Sequence, residues 1–504
     1  MNKILFPNTI NINTIKCYQI EEGFFCTESK IRCQNFGEWC IHLPRSLKEL
    51  CIQSIADNWE DFAQVDDICL PEDKCMLLNI LPTNLPLHLT VPIIKDNIYW
   101  KKCALLRWPQ KMPMNITDSG MFIFNSPNSK EEKHEDKEDL QVDGEKSYNS
   151  EIDESSSVNS LLPYDRKTWK EYYLENHIKE YLEKMEPAEY DPEQMKKICD
   201  ICGPFVRTLN IEELRCTNNE EGSLRIPLGS VLTGLPKLQE LSVCFKQKYI
   251  GFENFSWKMV QLPSKDIKNL AKGLEKTKLQ TLRIINSSIE GNQCIPILKS
   301  LQKYECLNVL DFSYCNLNDE GTISVCKFIT EMNIKELLLI DNNIGEEGAE
   351  AIAYILHRRE CTLDYLNIKM NLIGTKCGNL ILKSLLLNKK LKILDLSACN
   401  IKVQEIIAEV LRKCASLEEL RLTNNPIGDD IGNIILSNIN SNRTLKKIDL
   451  RMCLIHSELQ QKINDKIREL SRSNMFSFVE ENDFIIEFSE KCKENFEKTL
   501  GNSL

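Results

Sequence analysis

The sequence contains few residues whose type and spacing could do chemistry, and the clearest are Cys199 and Cys202. A C-x-x-C pair can give two thiolates to a zinc ion, but a zinc site needs further ligands at a suitable spacing. The nearest candidates, Cys216 and His177, complete no standard pattern. We therefore expect no metal and no cofactor.

Catalytic signatures are also missing from the sequence. It has no G-x-x-x-x-G-K-[ST] phosphate loop, no H-E-x-x-H metalloprotease motif and no G-x-S-x-G nucleophile elbow. None of its six histidines stands beside an obvious nucleophile and acid. We expect a protein that is not an enzyme and that works by binding.

Charge and hydropathy narrow the classes of partner. The 504 residues carry a net charge of −11, which argues against binding nucleic acid or an anionic membrane through bulk charge. No apolar run approaches the ~20 residues of a membrane helix. The first residues lack a basic region followed by an apolar core, so we expect no signal peptide, a cytoplasmic location and reduced thiols for the 22 cysteines.

The negative charge is concentrated in one segment. Between Lys130 and Ser155, four lysines stand against eleven acidic residues, which gives this segment a charge of −7. With almost no large apolar residue, it cannot bury enough surface to offset the entropy of ordering it. We predict a disordered acidic linker over 126–163, after an N-terminal domain over 1–125 that holds eight cysteines and four tryptophans. The linker could also dock a basic partner.

An amphipathic helix is predicted after the linker. Apolar residues spaced by three and four positions define it, and they are Trp169, Tyr172, Tyr173, Ile178, Tyr181, Leu182 and Met185. Asp191-Pro192 starts the next segment. We expect 164–205 to form a helical N-terminal cap for the structure that follows.

A repeat governs the C-terminal half. The pattern L-x-x-L-x-L-x-x-(N/C)-x-(L/I) recurs at steps of 26 to 29 residues. Its seven clear copies begin at Leu279, Leu307, Ile334, Leu363, Leu391, Leu417 and Leu445. Two looser copies begin at Val206 and Leu238, and the longer step after Leu238 indicates an insertion around Phe245–Met259. We predict repeats over 206–456.

The physics of this pattern predicts the fold. Positions 1, 4 and 6 of each repeat point inward from a short strand, whereas position 9 faces the core and must satisfy backbone groups of the adjoining turns. Cys315, Cys399 and Cys453 occupy position 9, so we interpret them as structural residues rather than reactive thiols. The repeat length leaves room for a helix, such as Glu346–Arg359. We predict an α/β solenoid, a horseshoe with concave parallel strands and convex helices that resembles the ribonuclease-inhibitor class.

A capping segment is predicted at the end of the repeats. The spacing of Leu459, Ile463, Ile467 and Leu470 indicates one more helix. The apolar tail from Phe476 onward would cover the exposed end of the solenoid, as terminal repeats require. We assign 457–504 to this capping helix and tail; a partner-binding tail is the alternative.

The remaining candidate site is the concave face. Side chains between the core leucines project from it. Leu338, Ile340 and Ile285 form an apolar spot flanked by charges of both signs, which suits a protein interface better than a sugar or nucleotide site. The candidate protein-binding residues are Arg283, Ile285, Asp311, Leu338, Ile340, Asn367, Lys369, Asp395, Arg421, Asp449 and Arg451. The alternative is a merely solvated strand face.

Two stretches outside the repeats carry a family resemblance. One runs from Leu81 to Pro92 and on to Tyr99–Cys103 and Arg107-Trp108, and the other begins at Trp169 and ends at Phe205–Leu209. With the repeats, they resemble the T-complex-associated testis-expressed family, the leucine-rich-repeat subunit of the nexin–dynein regulatory complex. The resemblance covers roughly Met76 to Leu470 apart from the acidic linker, which departs from the family pattern.

The resemblance implies a non-enzymatic scaffold in the axoneme of motile cilia and flagella. Its partners would be other protein subunits of that complex and, indirectly, the doublet microtubules, and it would help to regulate dynein-driven motility, including that of sperm. The family has no catalytic residues to carry over. Two alternatives stay open: a regulator of a small GTPase, of the Ran-type GTPase-activating kind, and an inhibitor like ribonuclease inhibitor.

Overall fold

The computed structural model describes residues 46–109, 167–246 and 262–470, except for 62, 64, 220, 221 and 304. The predicted acidic linker, most of the predicted insertion and the tail from Phe476 lie outside the described residues. The chain divides into two compact units, Met1–Leu85 and Pro86–Leu504.

The described part of the first unit contains two helices. Helix α1 (Leu47–Asp57) begins with a capping box, in which Ser46 and Glu49 exchange side-chain and backbone hydrogen bonds. Helix α2 (Pro71–Ile80) has proline in its first turn, where the missing N–H costs nothing. Trp59, Leu77 and Leu78 are buried.

The second unit starts with helices that precede the repeats. They are α3 (Leu87–Thr90), α4 (Asn97–Arg107), α5 (Trp169–Lys184) and α6 (Pro192–Cys202). Helix α5 packs on α4, with the Trp100 and Tyr173 ring centroids 5.4 Å apart. Thr168 caps α5 and Asp191 caps α6, the latter next to Pro192 as the sequence indicates. Because α4 packs on α5, residues from Pro86 onward group with the repeats, whereas the sequence places the end of the N-terminal domain at residue 125.

The described strands are β1 (Thr208–Ile211), β2 (Thr217–Asn219), β3 (Gly222–Leu224), β4 (Glu240–Cys244), β5 (Thr281–Ile285), β6 (Val309–Asp311), β7 (Glu336–Leu338), β8 (Tyr365–Asn367), β9 (Ile393–Asp395), β10 (Glu419–Arg421) and β11 (Lys447–Asp449). Nine of them are parallel and form one sheet in the order β1-β4-β5-β6-β7-β8-β9-β10-β11. A two-stranded antiparallel hairpin, β2 with β3, lies outside this sheet.

A helix separates successive strands of the sheet, and neighbouring helices pack on one another. These helices are α7 (Leu228–Thr233), α8 (Ser264–Leu274), α9 (Ile295–Leu301), α10 (Asn318–Glu331), α11 (Glu346–His357), α12 (Gly374–Ser384), α13 (Ile406–Lys413) and α14 (Asp429–Asn438). Residues 457–470 are also helical. The chain is therefore an α/β leucine-rich-repeat solenoid, as the sequence predicts.

Every predicted core position of the seven clear repeats is buried, because positions 1, 4 and 6 all point between the strand and helix layers. The helix predicted at Glu346–Arg359 is present as α11, and its Ala349, Ile352, Ile355 and Leu356 are buried. Within the described ranges, no helix is both long enough and apolar enough to cross a membrane.

Position 9 joins each repeat to its neighbours through hydrogen bonds. Asn342 Oδ1 accepts the backbone N–H groups of Cys315 and Leu317, and its Nδ2 donates to the Phe312 and Ile340 carbonyls. Cys315 uses its thiol instead, which donates to the Ile284 carbonyl 3.0 Å away. Burial raises the pKa of this thiol, so the neutral form persists and the cysteine is structural.

Candidate protein-binding surface

Strand register lines up the side chains of the exposed strand face. Arg283, Asp311, Leu338, Asn367, Asp395, Arg421 and Asp449 are direct neighbours in successive strands. A second row lies two residues further on, from Ile285 to Arg451, on the same face. The structure therefore brings the eleven candidate residues together along one face of the sheet.

The candidates differ in exposure. Asp311, Asn367 and Asp395 are buried, whereas Arg451 is exposed. The other seven are partly exposed. They are Arg283, Ile285, Leu338, Ile340, Lys369, Arg421 and Asp449.

Local hydrogen bonds explain the three buried residues. Asp311 Oδ1 accepts the Ser313 backbone N–H at 2.9 Å and the Ser313 hydroxyl at 2.5 Å. Asp395 Oδ1 accepts the Ser397 N–H at 3.0 Å in the same way, and Asn367 Oδ1 accepts the N–H two residues on. These side chains close the turn at the end of their strands. They are structural elements of the repeat and offer little surface to a partner.

The apolar part of the face is larger than the sequence analysis indicates. We define the apolar patch as Ile285, Tyr314, Leu338, Ile340 and Met370. The Tyr314 backbone N–H donates to the Ile340 carbonyl at 2.7 Å, so the segments that follow β6 and β7 lie side by side. Tyr314 and Met370 have exposed side chains, 39% and 46%, at the loop beyond the strand ends.

Both added residues have left-handed backbone conformations, with φ of 61° and 62°. Position 8 of all seven clear repeats has positive φ. Bulky side chains rarely adopt this conformation because it costs roughly 1 to 2 kcal/mol. The turn of the repeat imposes this conformation on Tyr314 and Met370. Asn, which tolerates positive φ, occupies position 8 in other repeats and is the signal from which this row of residues could have been predicted.

A group of ion pairs lies at the C-terminal end of the same face. We define the charged cluster as Asp395, Glu419, Arg421, Lys447 and Asp449. Glu419 accepts from Arg421 at 2.9 Å and pairs with Lys447 at 2.8 Å, while Arg421 also lies 3.6 Å from Asp395. Burial alone would raise the pKa of Glu419, but the hydrogen bonds to Arg421 and Lys447 outweigh it and hold the pKa below its ordinary value. The carboxylate therefore stays ionised at neutral pH.

A further row of this face, not predicted from the sequence, is formed by the residue before the second leucine of each repeat. Its members are Thr281, Val309, Glu336, Tyr365, Ile393, Glu419 and Lys447, which are paired in register. They share the face because strand side chains alternate. Extending the alternation of strand side chains by two residues toward the start of each strand would have predicted them.

The Cys199–Cys202 pair lies inside the protein. Both thiols are on α6 and buried, and Cys199 Sγ is 3.9 Å from the Val231 carbonyl oxygen. Burial raises the pKa of Cys199 to about 11 and that of Cys202 to about 12, which favours neutral thiols. Among the described residues, no group of three or more Cys, His, Asp or Glu is arranged to hold a metal ion.

Comparison with known proteins identifies related sequences. A family model described as Leucine Rich repeat matches residues 305–326, 331–353 and 413–432. Dynein regulatory complex subunit 5 of Macaca fascicularis is 24% identical over 340 residues, which are 63% of this chain and 58% of that protein. The Homo sapiens protein of the same name is 24% identical over 311 residues, 58% of this chain and 52% of that protein. Ribonuclease inhibitor of Mus musculus is 25% identical over 171 residues, 32% of this chain and 37% of that protein.

The matches thus span a little more than half the length of the dynein regulatory complex relatives. The sequence resembles dynein regulatory complex subunit 5, and the match to ribonuclease inhibitor agrees with the solenoid of strands and helices described above.

Proposed function

We propose that this leucine-rich-repeat protein, a relative of dynein regulatory complex subunit 5, is a non-enzymatic scaffold subunit of the nexin–dynein regulatory complex. In this role it binds other protein subunits of the complex in the axoneme of cilia or flagella and contacts the doublet microtubules only indirectly. Through these contacts it helps to regulate dynein-driven motility.

The observation that carries the proposal is the extent of the sequence match. It covers 63% of this chain, well beyond the repeat segments that the family model detects. A shared repeat alone would support only a shared fold, since one fold supports many functions. The longer match supports a shared place in the same complex.

The exposed strand face is the proposed docking surface. The apolar patch supplies partly exposed Leu338 and Ile340 near the middle of the sheet, and the charged cluster lies two to four strands further along. An apolar anchor beside polar residues of both signs fits a folded protein partner. Such a mixture lacks the single sign of charge that would attract a polyanion.

Tagging the protein in a cell with motile cilia tests the proposal. After detergent extraction, we expect the tagged chain to stay with the axoneme and to co-purify with other subunits of the regulatory complex. A control with a tagged, unrelated leucine-rich-repeat protein should be washed out. A diffuse signal that detergent removes completely would overturn the proposal.

A further inference from the structure

Charged residues of the repeats are divided between the two edges of the parallel sheet. One edge holds the junctions from each helix to the following strand, and the other holds the junctions from each strand to the following helix. From the last four residues of the helix to the residue before the strand, the seven helix-to-strand junctions between α8 and β11 contain sixteen lysines and arginines and six acidic residues. From the residue after the strand to the fourth helical residue, the six strand-to-helix junctions between β5 and α14 contain three lysines and ten acidic residues. The first edge is therefore basic and the second acidic.

On the basic edge, the junctions after α11, α12 and α13 are joined to one another. Asn388, after α12, donates from Nδ2 to the Leu356 carbonyl of α11 at 2.9 Å. The Ser416 hydroxyl, after α13, donates to the Asn388 carbonyl at 3.3 Å. The side chains that project from these three junctions therefore belong to one continuous surface.

The acidic residues of this surface already have cationic partners. With N–O distances of 2.7 to 3.5 Å, the pairs are Arg358–Glu360, Lys392–Asp364 and Lys446–Glu418. Five further cations are exposed and form no ion pair within the part of the chain that the structure describes. We define them as the basic strip: Arg359, Lys383, Lys389, Lys390 and Arg412. Arg412 Nη1 donates only to a neutral group, the Asn438 side chain, at 2.9 Å.

The helix dipole explains only part of this charge. Cations are favoured in the last turn of a helix, where Lys383 and Arg412 lie. Lys389 and Lys390 lie beyond the end of α12 at Ser384, and the effect of the dipole falls off within the last turn. Like charges on adjacent residues repel one another, so a bound anionic group would be stabilised between them.

An exposed leucine lies among these cations. Arg359, Leu387 and Lys413 each stand four residues before the first leucine of the next repeat, so they are neighbours in successive junctions. The Leu387 side chain is 55% exposed. Because packed helices lie about 8 to 10 Å apart, three junctions span about 16 to 20 Å. That is the length of about six residues of extended chain.

We infer that the basic strip binds an extended acidic segment of another protein, with Leu387 in contact with an apolar side chain of that segment. The carboxylates of the segment pair with the lysines and arginines on either side of Leu387. A long nucleic acid fits less well, because the acidic edge and the net charge of −11 repel it and its phosphates offer Leu387 no apolar contact. The strip lies apart from the strand face, so the inference does not depend on the docking surface proposed above.

Peptide binding to the full-length chain tests this inference. The probe is a fluorescent peptide of about six residues, glutamates around one leucine, which spans the strip when extended. We expect binding that weakens as the salt concentration rises. Lys389→Glu with Lys390→Glu should weaken it by at least about tenfold, since two attractions become repulsions. Leu387→Ser should weaken it by about threefold, since an apolar contact is lost.

Lys196→Glu with Lys197→Glu is the matched control. These lysines are also adjacent and exposed, but they lie on α6, before the repeats, and their replacement changes the net charge equally. Binding should stay within about twofold of that of the unaltered chain. Circular dichroism checks that each variant is folded, as expected for exposed positions.

Three results would overturn the inference. One is the absence of peptide binding to the unaltered chain, and another is an equal loss in the two double-lysine variants, which would indicate a response to overall charge. The third is tighter binding of single-stranded DNA or of phosphatidylserine vesicles that Lys389→Glu with Lys390→Glu abolishes. That result would assign the strip to a nucleic acid or a lipid surface.

Discussion

The Glu175 carboxylate takes the place of a backbone carbonyl at Thr208. Its Oε1 accepts the N–H groups of Arg207 and Thr208 at 3.0 and 2.8 Å. In the next repeat, the Arg207 carbonyl accepts the equivalent N–H groups of Gln239 and Glu240. A side chain from α5 therefore provides what a preceding repeat would have provided.

Removing this side chain should loosen the first strand. Glu175→Ala leaves two backbone N–H groups without an acceptor. It also removes the carboxylate 2.9 Å from the Lys167 ammonium, which within the described residues keeps its hydrogen bond to the Thr208 hydroxyl. We expect the free energy of unfolding to fall by about 3 kcal/mol. Denaturant unfolding, with amide exchange at Thr208, measures the effect.

Glu183→Ala is the matched control. Glu183 is on the same helix and its Oε1 also accepts a backbone N–H, that of Glu212, but in an exposed position. We expect a loss of less than about 1 kcal/mol. Equal losses for both variants would contradict a special role for Glu175.

Acid should weaken the α4–α5 contact through His177. Burial, followed by the nearby Arg107 guanidinium, lowers the pKa of His177 from 6.5 to about 4. The unfolded chain therefore takes up a proton near pH 6.5 that the folded chain resists until about pH 4, so stability should decrease as the pH falls through this window. We expect the loss to be about 1 to 2 kcal/mol after allowance for partial exposure.

His177→Gln tests the assignment. The amide oxygen can still accept from Arg107 Nη1, which lies 2.8 Å from His177 Nδ1, but the side chain does not titrate. Unfolding measured from pH 7 to pH 4 should lose this part of its pH dependence. An unchanged pH profile would assign the effect to other groups.

The asparagines of position 9 should be costly to replace. Asn342→Ala leaves the buried N–H groups of Cys315 and Leu317 and the Phe312 carbonyl without their partner. We expect a loss of about 3 kcal/mol in the free energy of unfolding. Thermal and denaturant unfolding measure it.

The adjacent Asn343 provides the control. Its side chain is exposed and bonds to the Asn316 side chain, and its φ of 54° suits glycine. Asn343→Gly should cost less than about 1 kcal/mol. A loss as large as that of Asn342→Ala would mean that turn conformation, rather than the hydrogen-bond ladder, limits stability.

Charge in the apolar patch should weaken partner binding. Leu338→Asp with Ile340→Asp places two carboxylates where a partner would bury apolar surface, so we expect at least a tenfold loss of affinity, about 1.4 kcal/mol or more. Because both side chains are partly exposed, the solenoid should stay folded. Co-purification of complex subunits, with circular dichroism as the folding check, measures the outcome.

Tyr354→Asp is the control for the opposite side of the same repeat. Tyr354 lies on helix α11 with 64% of its surface exposed. It should bind partners as the unaltered chain does. Loss of binding in Tyr354→Asp alone would move the docking surface to the helical side.

The repeat core could be predicted from the sequence because its apolar residues recur at regular intervals. Leucines at fixed intervals are buried wherever strands stack in register. The burial of Leu310 and Leu394 can therefore be predicted without knowing which distant residues they contact. Residues with single, non-repeated partners could not be predicted. Glu175 meets β1 only because α5 folds across it, and sequence spacing does not encode that contact.

The sequence indicates which side chains lie on the strand face, but not which of them are exposed to solvent. Alternation along a strand indicates which side chains face outward. It does not show that Asp311 accepts a hydrogen bond from the Ser313 N–H, because that bond depends on the conformation of the turn after the strand. The left-handed turn also brought Tyr314 and Met370 to the surface from positions that no hydrophobic period marks.

Stacking by nearest neighbours has a mechanical consequence. Within the part of the chain that the structure describes, the strands and helices of each repeat pack on those of the adjacent repeats, so a load applied along the sheet passes through the repeats in series. We expect such a molecule to yield one repeat at a time under load. It would then extend gradually between its attachment points instead of failing in a single event.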